Sequence, residues 1–296
     1  MMKKGNLLRG MTRDGSARIL VINSKDMVND MIRCHHPTAT TAAALGRLLT
    51  ATSMISSLMG EERDSITIGL QGNGPAGRLL AVGDYYGNVR GYVENPMADA
   101  PRKKSGKLNV GAVVGQGYLY VVRDVGEGQP QTGTVELRSG EVAEDIAAYF
   151  AESEQIPTLC SLGALLETGE EGTACTAAGG VLIQLLPFAD PAVIDQLEKN
   201  AENLTAVSDL FRQGKTLEDV ANIALEGIEY DLFDTLSVGY RCNCSRERMC
   251  DNMKKVGKKA LVEMFDAQEK EGKERVLEAI CRFCNSHYRF TEKNLL

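Results

Sequence analysis

The sequence predicts an α+β protein in three parts: a mostly antiparallel sheet domain with one buried helix over residues 1–189, a helical linker over 190–238, and a small cysteine-rich domain over 239–296. Three observations predict this organisation. Short alternating apolar stretches separated by glycine turns occupy the first part, which is typical of antiparallel strands. Helical periodicity starts at Asp190, and four of the eight cysteines lie in two close pairs near the C-terminus.

The buried helix and the strands of the first part follow from residue spacing. Over 38–58, many Ala and Thr residues surround apolar side chains at steps of three and four, and Pro37 suits the first turn of a helix. So many small residues permit close approach to a sheet, which predicts a buried central helix. A second helix, with Ser139 as candidate cap, has an apolar face formed by Val142, Ile146, Tyr149 and Phe150. Strands are predicted over 17–22, 65–70, 79–84, 89–93, 117–123, 132–137 and 179–186.

One glycine-rich loop matches a known binding pattern. Gly72, Gly74 and Gly77 have the spacing of dinucleotide-binding loops, in which the N-terminus of a following helix holds the pyrophosphate. Here Pro75 lies inside the loop, and a short strand over 79–84 follows instead of a helix. The glycines are therefore interpreted as hairpin turns and not as a nucleotide site.

The linker is predicted to be a helical module without strands over 190–236. Asp190 caps a helix that has Pro191 at its first position, and Thr216 begins a second helix-start signature. A segment this short cannot bury a core of its own, so we expect its apolar stripe to pack on a neighbour. In the last part, a lysine-rich helix is predicted over 253–277 and a hairpin-like segment over 288–291.

The paired cysteines predict a metal site. Cys242 and Cys244 form a Cys-x-Cys pair, and Cys281 and Cys284 form a Cys-x-x-Cys pair after the spacer 245–280. Residues i and i+2 of an extended segment face the same way, so both sulfurs of the first pair can reach one ion. Four thiolates favour zinc over an iron–sulfur cluster. The pattern predicts one Zn²⁺ per chain bound by these four cysteines, with His287 as an alternative ligand for one sulfur and two unrelated pairs of buried thiols as the plain alternative.

The other candidates for chemistry are weaker. The run 34–36, Cys-His-His, places three reactive side chains next to one another, but adjacent residues do not point the same way in a helix or strand. Cys160 and Cys175 are interpreted as buried structural thiols. Cys250 has three open roles: spare ligand, resolving thiol or packing residue. The sequence contains no recognisable Ser/His/Asp set, paired carboxylates or phosphate loop, so we do not expect an enzyme.

Composition and charge limit the compartment and the partners. Lys3 and Lys4 are followed by no apolar signal segment, and no run approaches about 18 apolar residues. We therefore expect a cytoplasmic protein without membrane partners, whose cysteines are reduced or metal-bound. The chain has a net charge of −7, and Lys and Arg exceed Asp and Glu only modestly over 241–296. A strong nucleic-acid binder needs a basic surface, so we expect no nucleic-acid partner.

The residues alone leave the role of a four-thiolate site open. Thiolates are the species that oxidants attack, and the spacing within each pair permits a disulfide. Oxidation would then eject zinc and unfold a tail that depends on it. A purely structural zinc site has the same ligands, so the spacing permits a redox switch without requiring one.

The C-terminal motifs resemble those of a known family. Cys-x-Cys-Ser-x-Glu-Arg at 242–248, followed by Cys-x-Phe-Cys-Asn at 281–285 and Tyr-x-Phe-Thr at 288–291, is similar to the C-terminus of the 33-kDa heat-shock protein family of redox-regulated holdase chaperones. The long spacer and the extra thiol Cys250 depart from the family pattern. Supporting similarities, which extend the resemblance over nearly the whole chain, lie at 42–49, 72–75 and 152–158.

The resemblance implies an ATP-independent chaperone of the bacterial cytoplasm that serves the stress response. It implies that the reduced, zinc-bound form is inactive and that oxidation forms disulfides within the pairs Cys242–Cys244 and Cys281–Cys284. Release of zinc, unfolding of the tail and linker, and exposure of apolar surface that binds unfolded client proteins would follow. The activated form would be a homodimer.

Two alternatives come from other functional classes. A zinc-ribbon interaction module on a globular domain would have the same ligands, although the acidic body counts against nucleic acid as its partner. A thiol–disulfide oxidoreductase could use Cys281 and Cys284, but the surrounding sequence lacks the βαβ pattern of a thioredoxin-like fold.

Overall fold

The computed structural model describes residues 5–126, 128–170 and 172–296. The chain divides into two compact units, Met1–Arg241 (unit 1) and Cys242–Leu296 (unit 2). The prediction that the chain has no signal segment used Lys3 and Lys4. Both residues lie outside the described residues. Within the described ranges, no helix is long and apolar enough to cross a lipid bilayer.

Unit 1 has ten strands and seven α-helices in its described residues. Its strands are β1 (Leu7–Thr12), β2 (Ala17–Asn23), β3 (Ser65–Gly72), β4 (Arg78–Asp84), β5 (Val89–Val93), β6 (Gly117–Asp124), β7 (Gln131–Glu136), β8 (Thr158–Gly169), β9 (Gly172–Leu185) and β10 (Tyr230–Leu236). Its helices are α1 (Lys25–His35), α2 (Ala39–Ser56), α3 (Val110–Val114), α4 (Ala143–Tyr149), α5 (Pro191–Ala201), α6 (Val207–Arg212) and α7 (Leu217–Ala224). Every strand predicted from the sequence has a counterpart, whereas β1, β8, β10, α1 and α3 are absent from the prediction.

The strands form two five-stranded sheets with antiparallel neighbours. Sheet A has the order β10-β1-β2-β9-β8, and sheet B has the order β5-β4-β3-β6-β7. The loop with Gly74 and Gly77 joins β3 directly to β4, so no helix follows it. The predicted α+β class with antiparallel pairing is confirmed, and the glycines form a hairpin connection rather than a nucleotide site.

Helix α2 lies in the core of unit 1 and contacts strands of both sheets. Thr38 caps it, because the Thr38 hydroxyl accepts a hydrogen bond from the backbone N–H of Thr41. All its residues except Ala39 and Arg47 are buried, which the small Ala and Thr side chains permit. The predicted buried central helix is confirmed, although Pro37 precedes the cap and is not in the first turn.

Helix α4 confirms the predicted apolar face but not the predicted cap. Ile146 is fully buried, as the spacing indicates. The buried carboxylate of Asp145 accepts backbone hydrogen bonds from Arg138, Ser139 and Val142. Ser139 therefore donates its backbone N–H to this carboxylate and does not cap the helix. Asp145, in the first turn, already accepts the hydrogen bonds of the N–H groups in the loop before α4.

The linker helices cover one face of sheet A. Along β2, Leu20 and Ile22 point into the core around α2, whereas Ile19 and Val21 point into a second core against the linker. The sheet contributes to the second core Leu8, Ala17, Ile19, Val21, Ala177, Val181 and Ile183. The linker contributes Leu197, Leu204, Val207, Phe211, Val220, Ala221, Ala224 and Leu225. The predicted packing of the apolar stripe on a neighbour is confirmed.

The prediction of a strand-free module over 190–236 is wrong at its end. Tyr230–Leu236 is the edge strand β10, which pairs with β1 from Thr12 opposite Tyr230 to Leu7 opposite Leu236. Arg9 donates two hydrogen bonds to the Asp234 carboxylate, at 2.9 and 2.6 Å. The acidic composition of this segment resembles that of a solvated linker. Its aspartates instead lie on an edge strand, where they pair with arginines.

Unit 2 consists of α8 (Arg246–Lys254), α9 (Lys258–Lys270), β11 (Val276–Ile280), β12 (His287–Thr291) and α10 (Glu292–Leu295). The single helix predicted over 253–277 is wrong, because Gly257, with φ 97°, separates α8 from α9. Leu277 belongs instead to β11, which pairs antiparallel with β12 as the predicted C-terminal hairpin. The small core contains Leu261, Phe265, Leu277, Phe290 and Leu295.

Candidate metal centre

The four predicted cysteines meet at one point of unit 2. Cys242 and Cys244 lie in the extended segment before α8, whose first turn is capped by the Ser245 hydroxyl. Cys281 and Cys284 lie in the turn between β11 and β12. The four sulfur atoms are all within 4.8 Å of one another. The fold therefore brings together two pairs that are far apart in sequence.

The sulfur positions fit a tetrahedral thiophilic ion. Zinc–sulfur bonds of about 2.3 Å in a tetrahedron imply sulfur–sulfur distances of about 3.8 Å. The Sγ atoms of Cys242 and Cys281 are 3.7 Å apart, and those of Cys244 and Cys284 are 3.3 Å apart. All four donors are thiol sulfurs, the ligand type that selects soft or borderline ions such as zinc. These residues can hold one metal ion.

The hairpin turn is shaped by its own backbone. The N–H of Cys281 donates to the carbonyl of Ser286 at 3.0 Å, and the N–H of Asn285 donates to the carbonyl of Cys281 at 2.8 Å. Asn285 has φ 53°, a left-handed conformation that Asn tolerates better than most residues. This closed turn directs both sulfurs of the second pair to the same side.

Two hydroxyl groups contact the sulfur cluster. The Tyr288 hydroxyl lies 3.0 Å from Cys244 Sγ, and the Ser286 hydroxyl lies 3.2 Å from Cys284 Sγ. In the sequence, Tyr288 is part of the predicted hairpin-like segment and of the Tyr-x-Phe-Thr motif, and no contact with a cysteine was predicted for it. The alternation of β12 contained a usable signal, because Tyr288 and the buried Phe290 share one face of the strand.

The free thiols differ in acidity. Burial raises the pKa of Cys242 and that of Cys281 above the ordinary thiol value. Burial also acts on Cys244, but hydrogen bonds from Tyr288 and the neighbouring thiols oppose it and lower the pKa of Cys244 to about 7. The hydrogen bond to Cys244 raises the pKa of Tyr288 to about 12. Tyr288 therefore keeps its proton at neutral pH and donates to the Cys244 sulfur.

The alternative ligand and the extra thiol lie apart from the cluster. His287 is exposed and does not belong to the group of possible metal ligands found among the described residues. Cys250 lies on α8, where its thiol donates to the carbonyl of Asn294 at 3.2 Å. It packs against the small core of unit 2, so its contacts are those of a packing residue.

His35, Cys160 and Cys175 have structural surroundings. His35 is buried at the end of α1, where its Nε2 lies 3.0 Å from both the Gly91 carbonyl and the Tyr240 hydroxyl. Burial raises the pKa of Cys160 to about 12 and that of Cys175 to about 11, which keeps both thiols protonated. These surroundings agree with the interpretation of Cys160 and Cys175 as structural thiols.

Known proteins match the chain over nearly its whole length. The family model described as Hsp33 protein matches residues 5–291. A relative named 33 kDa chaperonin from Clostridioides difficile (strain 630) is 38% identical over 291 residues, which cover 98% of this chain and 97% of the relative. A relative of the same name from Caldanaerobacter subterraneus subsp. tengcongensis is 41% identical over 273 residues, which cover 92% of this chain and 90% of the relative.

A solved structure has the same fold. The crystal structure of the 33 kDa chaperonin (heat shock protein 33 homolog) from Thermotoga maritima matches with a TM-score of 0.87 and 32% sequence identity. The match covers 98% of this chain and 96% of that chain. These relatives are named as chaperonins and not as enzymes, in agreement with the expectation that this chain is not an enzyme.

Proposed function

The chain belongs to the Hsp33 family, and from this membership and the sulfur cluster we propose that it is a redox-regulated, ATP-independent holdase chaperone. In the proposed resting form, the reduced thiolates of Cys242, Cys244, Cys281 and Cys284 bind one Zn²⁺ and the protein is inactive. Oxidation activates it. The observation that supports this most strongly is the meeting of four sulfurs within 4.8 Å.

The zinc ion would supply a cross-link when bound. It would join the first residues of unit 2 to the hairpin turn, and structural zinc in small peptides contributes about 10–16 kcal/mol of apparent binding energy. The core of unit 2 is small, with Phe265 and Phe290 as its largest side chains. We propose that this core does not hold unit 2 folded without the metal.

Oxidation by hydrogen peroxide would remove the thiolate ligands in two steps per pair. A cysteine sulfur attacks one peroxide oxygen, the O–O bond breaks, and a sulfenic acid forms while the other oxygen leaves as water after taking a proton. The partner thiol then attacks the sulfenic sulfur, so that a disulfide forms and a second water leaves. We assign the pairs as Cys242–Cys244 and Cys281–Cys284, which together consume two peroxide molecules.

The linker would supply the apolar surface for clients. The chain runs from β10, which is paired with β1, through residues 237–241 into Cys242. After unit 2 unfolds, release of the linker would therefore also require β10 to detach from β1. Release of α5, α6 and α7 would expose Ile19, Val21 and Val181 on sheet A together with the apolar stripe of the helices. The many Asp and Glu residues over 190–238 would keep the opened linker in solution.

The remaining assignments rest on family membership. We propose a body over 1–189, a linker over 190–238 and a zinc-dependent redox switch over 239–296. Unfolded proteins are the proposed clients, the activated form is proposed to be a homodimer, and the proposed compartment is the cytoplasm. Neither nucleic acid nor a membrane is a proposed partner.

A double substitution, Cys281→Ser with Cys284→Ser, tests this proposal against its alternatives. The variant removes half of the thiolates and both sulfurs of one proposed disulfide. We expect it to lose stoichiometric zinc, measured by elemental analysis, and to lose the dependence of client holding on peroxide. Cys250→Ser is the matched control, since it removes a thiol of the same unit that lies outside the cluster.

Two results would contradict the holdase proposal. Loss of binding to one specific partner, with no peroxide-dependent holding in the unmodified protein, would favour a zinc-ribbon interaction module. Turnover of a small disulfide by the unmodified protein, abolished in the double variant, would favour a thiol–disulfide oxidoreductase.

A further inference from the structure

Three sulfurs of the cluster receive local hydrogen bonds. Cys281 accepts from the backbone N–H groups of Phe283 and Cys284 within its own turn, and Cys242 accepts from the backbone of Cys244. Cys284 contacts the hydroxyl of Ser286, two residues further on, at 3.2 Å. The turn and the extended segment therefore provide these contacts themselves.

Cys244 differs because a hydroxyl group from a distant part of the sequence contacts its sulfur. The Tyr288 hydroxyl lies 3.0 Å from Cys244 Sγ, although the two residues are 44 positions apart. Tyr288 belongs to β12, where it pairs with Ala279 of β11. This contact links the Cys-x-Cys segment to the hairpin that carries the other pair.

The fold holds the Tyr288 ring in place. Tyr288 is half-buried and packs against the core formed by Phe265, Phe290 and their neighbours. Strand alternation directs it to the same side as Phe290, which is 1% exposed. The position of the hydroxyl is therefore set by the hairpin and not by a freely rotating surface side chain.

We propose that Tyr288 is a positioning residue of the sulfur site, whose hydroxyl donates to Cys244 Sγ and slows both the oxidation of that sulfur and the release of zinc. A hydrogen bond to a thiolate draws electron density from the sulfur, which lowers its nucleophilicity toward peroxide. Donors in the outer shell of a metal site also orient the ligand and strengthen metal retention. This inference rests on the proposed redox function.

The test uses the full-length, reduced, zinc-loaded protein and its Tyr288→Phe variant. Phenylalanine keeps the ring that packs in unit 2 and removes only the hydroxyl. Two rates are measured: zinc release after peroxide addition, with a colorimetric zinc chelator, and alkylation of each cysteine by iodoacetamide, with peptide mass spectrometry. We expect the variant to release zinc about threefold to tenfold faster, the factor expected for one ordinary hydrogen bond, with a selective gain in Cys244 alkylation.

Selectivity among the cysteines separates positioning from a merely structural role. His287→Ala is the matched control, because His287 is exposed on the same strand, and we expect it to leave both rates unchanged. Unchanged rates in Tyr288→Phe would overturn the proposal. Equal acceleration at all four cysteines, with a lower melting temperature of the zinc-loaded protein, would also overturn it in favour of a packing role.

These readouts do not depend on chaperone activity. If the oxidised protein failed to hold clients while Tyr288→Phe still released zinc faster, the holdase function would fail and the role of Tyr288 would stand. If client holding depended on peroxide but both rates were unchanged in the variant, the holdase function would stand and the role of Tyr288 would fail.

Discussion

Phe211 of the linker packs closely against sheet A. Its side chain is 8% exposed, and a methyl group added at Gly179 would lie 2.2 Å from its ring. Gly163 allows a similar approach, because a methyl group there would lie 2.5 Å from Ser208 Oγ. The absence of side chains at two sheet positions therefore allows α6 to pack directly on the strands.

Phe211→Ala should loosen the linker without touching the sulfur site. Loss of a nearly buried phenyl group costs about 3–5 kcal/mol in a rigid core. We expect the reduced, zinc-loaded variant to suppress client aggregation partially before any oxidant is added. Arg212→Ala is the control, since Arg212 is exposed and its ion pair with Asp209 lies on the surface. If the reduced Phe211→Ala protein had a lowered melting temperature but did not suppress client aggregation, linker packing would not control activation.

At the scale of single residues, spacing predicted that the four cysteines come together but not what surrounds them. Two close cysteine pairs are a local pattern, and the chemistry of thiolates limits what they can bind. The contact of Tyr288 with Cys244 joins residues that meet only when β11 and β12 pair. The role of Asp145 was also missed. Its carboxylate accepts hydrogen bonds from several backbone N–H groups of the loop before α4, and these contacts form only when the loop folds around it.

At the scale of elements, β10 joins the linker to sheet A as an edge strand. The Arg9 guanidinium donates to the Asp234 carboxylate and holds the pKa of Asp234 below its usual value of 3.8. The folded state therefore binds this proton less tightly than the unfolded state does. The stability from this pair is fully present above the unfolded pKa and is lost as the pH falls through the lowered folded pKa.

Asp234→Asn should therefore reduce stability at neutral pH and converge with the unmodified protein in acid. Both side chains are partly exposed, so we expect a loss of less than about 1 kcal/mol at pH 7. The difference should shrink as the pH falls from about 5 to about 3. Thermal melting across this range measures it, with Glu198→Gln on the exposed face of α5 as control. A difference that grows in acid would contradict the assignment of the shift to the ion pair.

The sequence predicted elements with strong local patterns and missed those that depend on partners. The many Ala and Thr residues over 38–58 identify α2, because a helix buried between two sheets needs small side chains. Strand β10 has acidic residues at exposed positions, and only pairing with β1 makes it a strand. The turn at Gly257 was missed because lysines on both sides of it favour a continuous helix.

At the scale of the molecule, the two units differ in how they are stabilised. Unit 1 has two extensive apolar cores, one around α2 and one beneath the linker, whereas the buried core of unit 2 is a single small cluster. A small core leaves little stability without a cross-link or a metal. We therefore expect metal removal to act on unit 2 first.

Chelation of the metal under reducing conditions should unfold unit 2 and preserve the sheets of unit 1. Hydrogen exchange read by mass spectrometry should show loss of protection in α9, β11 and β12, while β2 and β9 remain protected. Readdition of zinc to the reduced protein should restore protection. Full protection of unit 2 in protein verified to be metal-free would contradict a metal-dependent fold.

Light scattering from a thermally unfolding client protein tests the redox-switched holdase most directly. The client is heated without ATP, alone, with the reduced zinc-loaded protein, and with the same protein after mild peroxide treatment. We expect that only the oxidised protein suppresses aggregation and that reduction with zinc restores the inactive form. Equal suppression by the reduced and oxidised forms, or none by either, would contradict the redox switch.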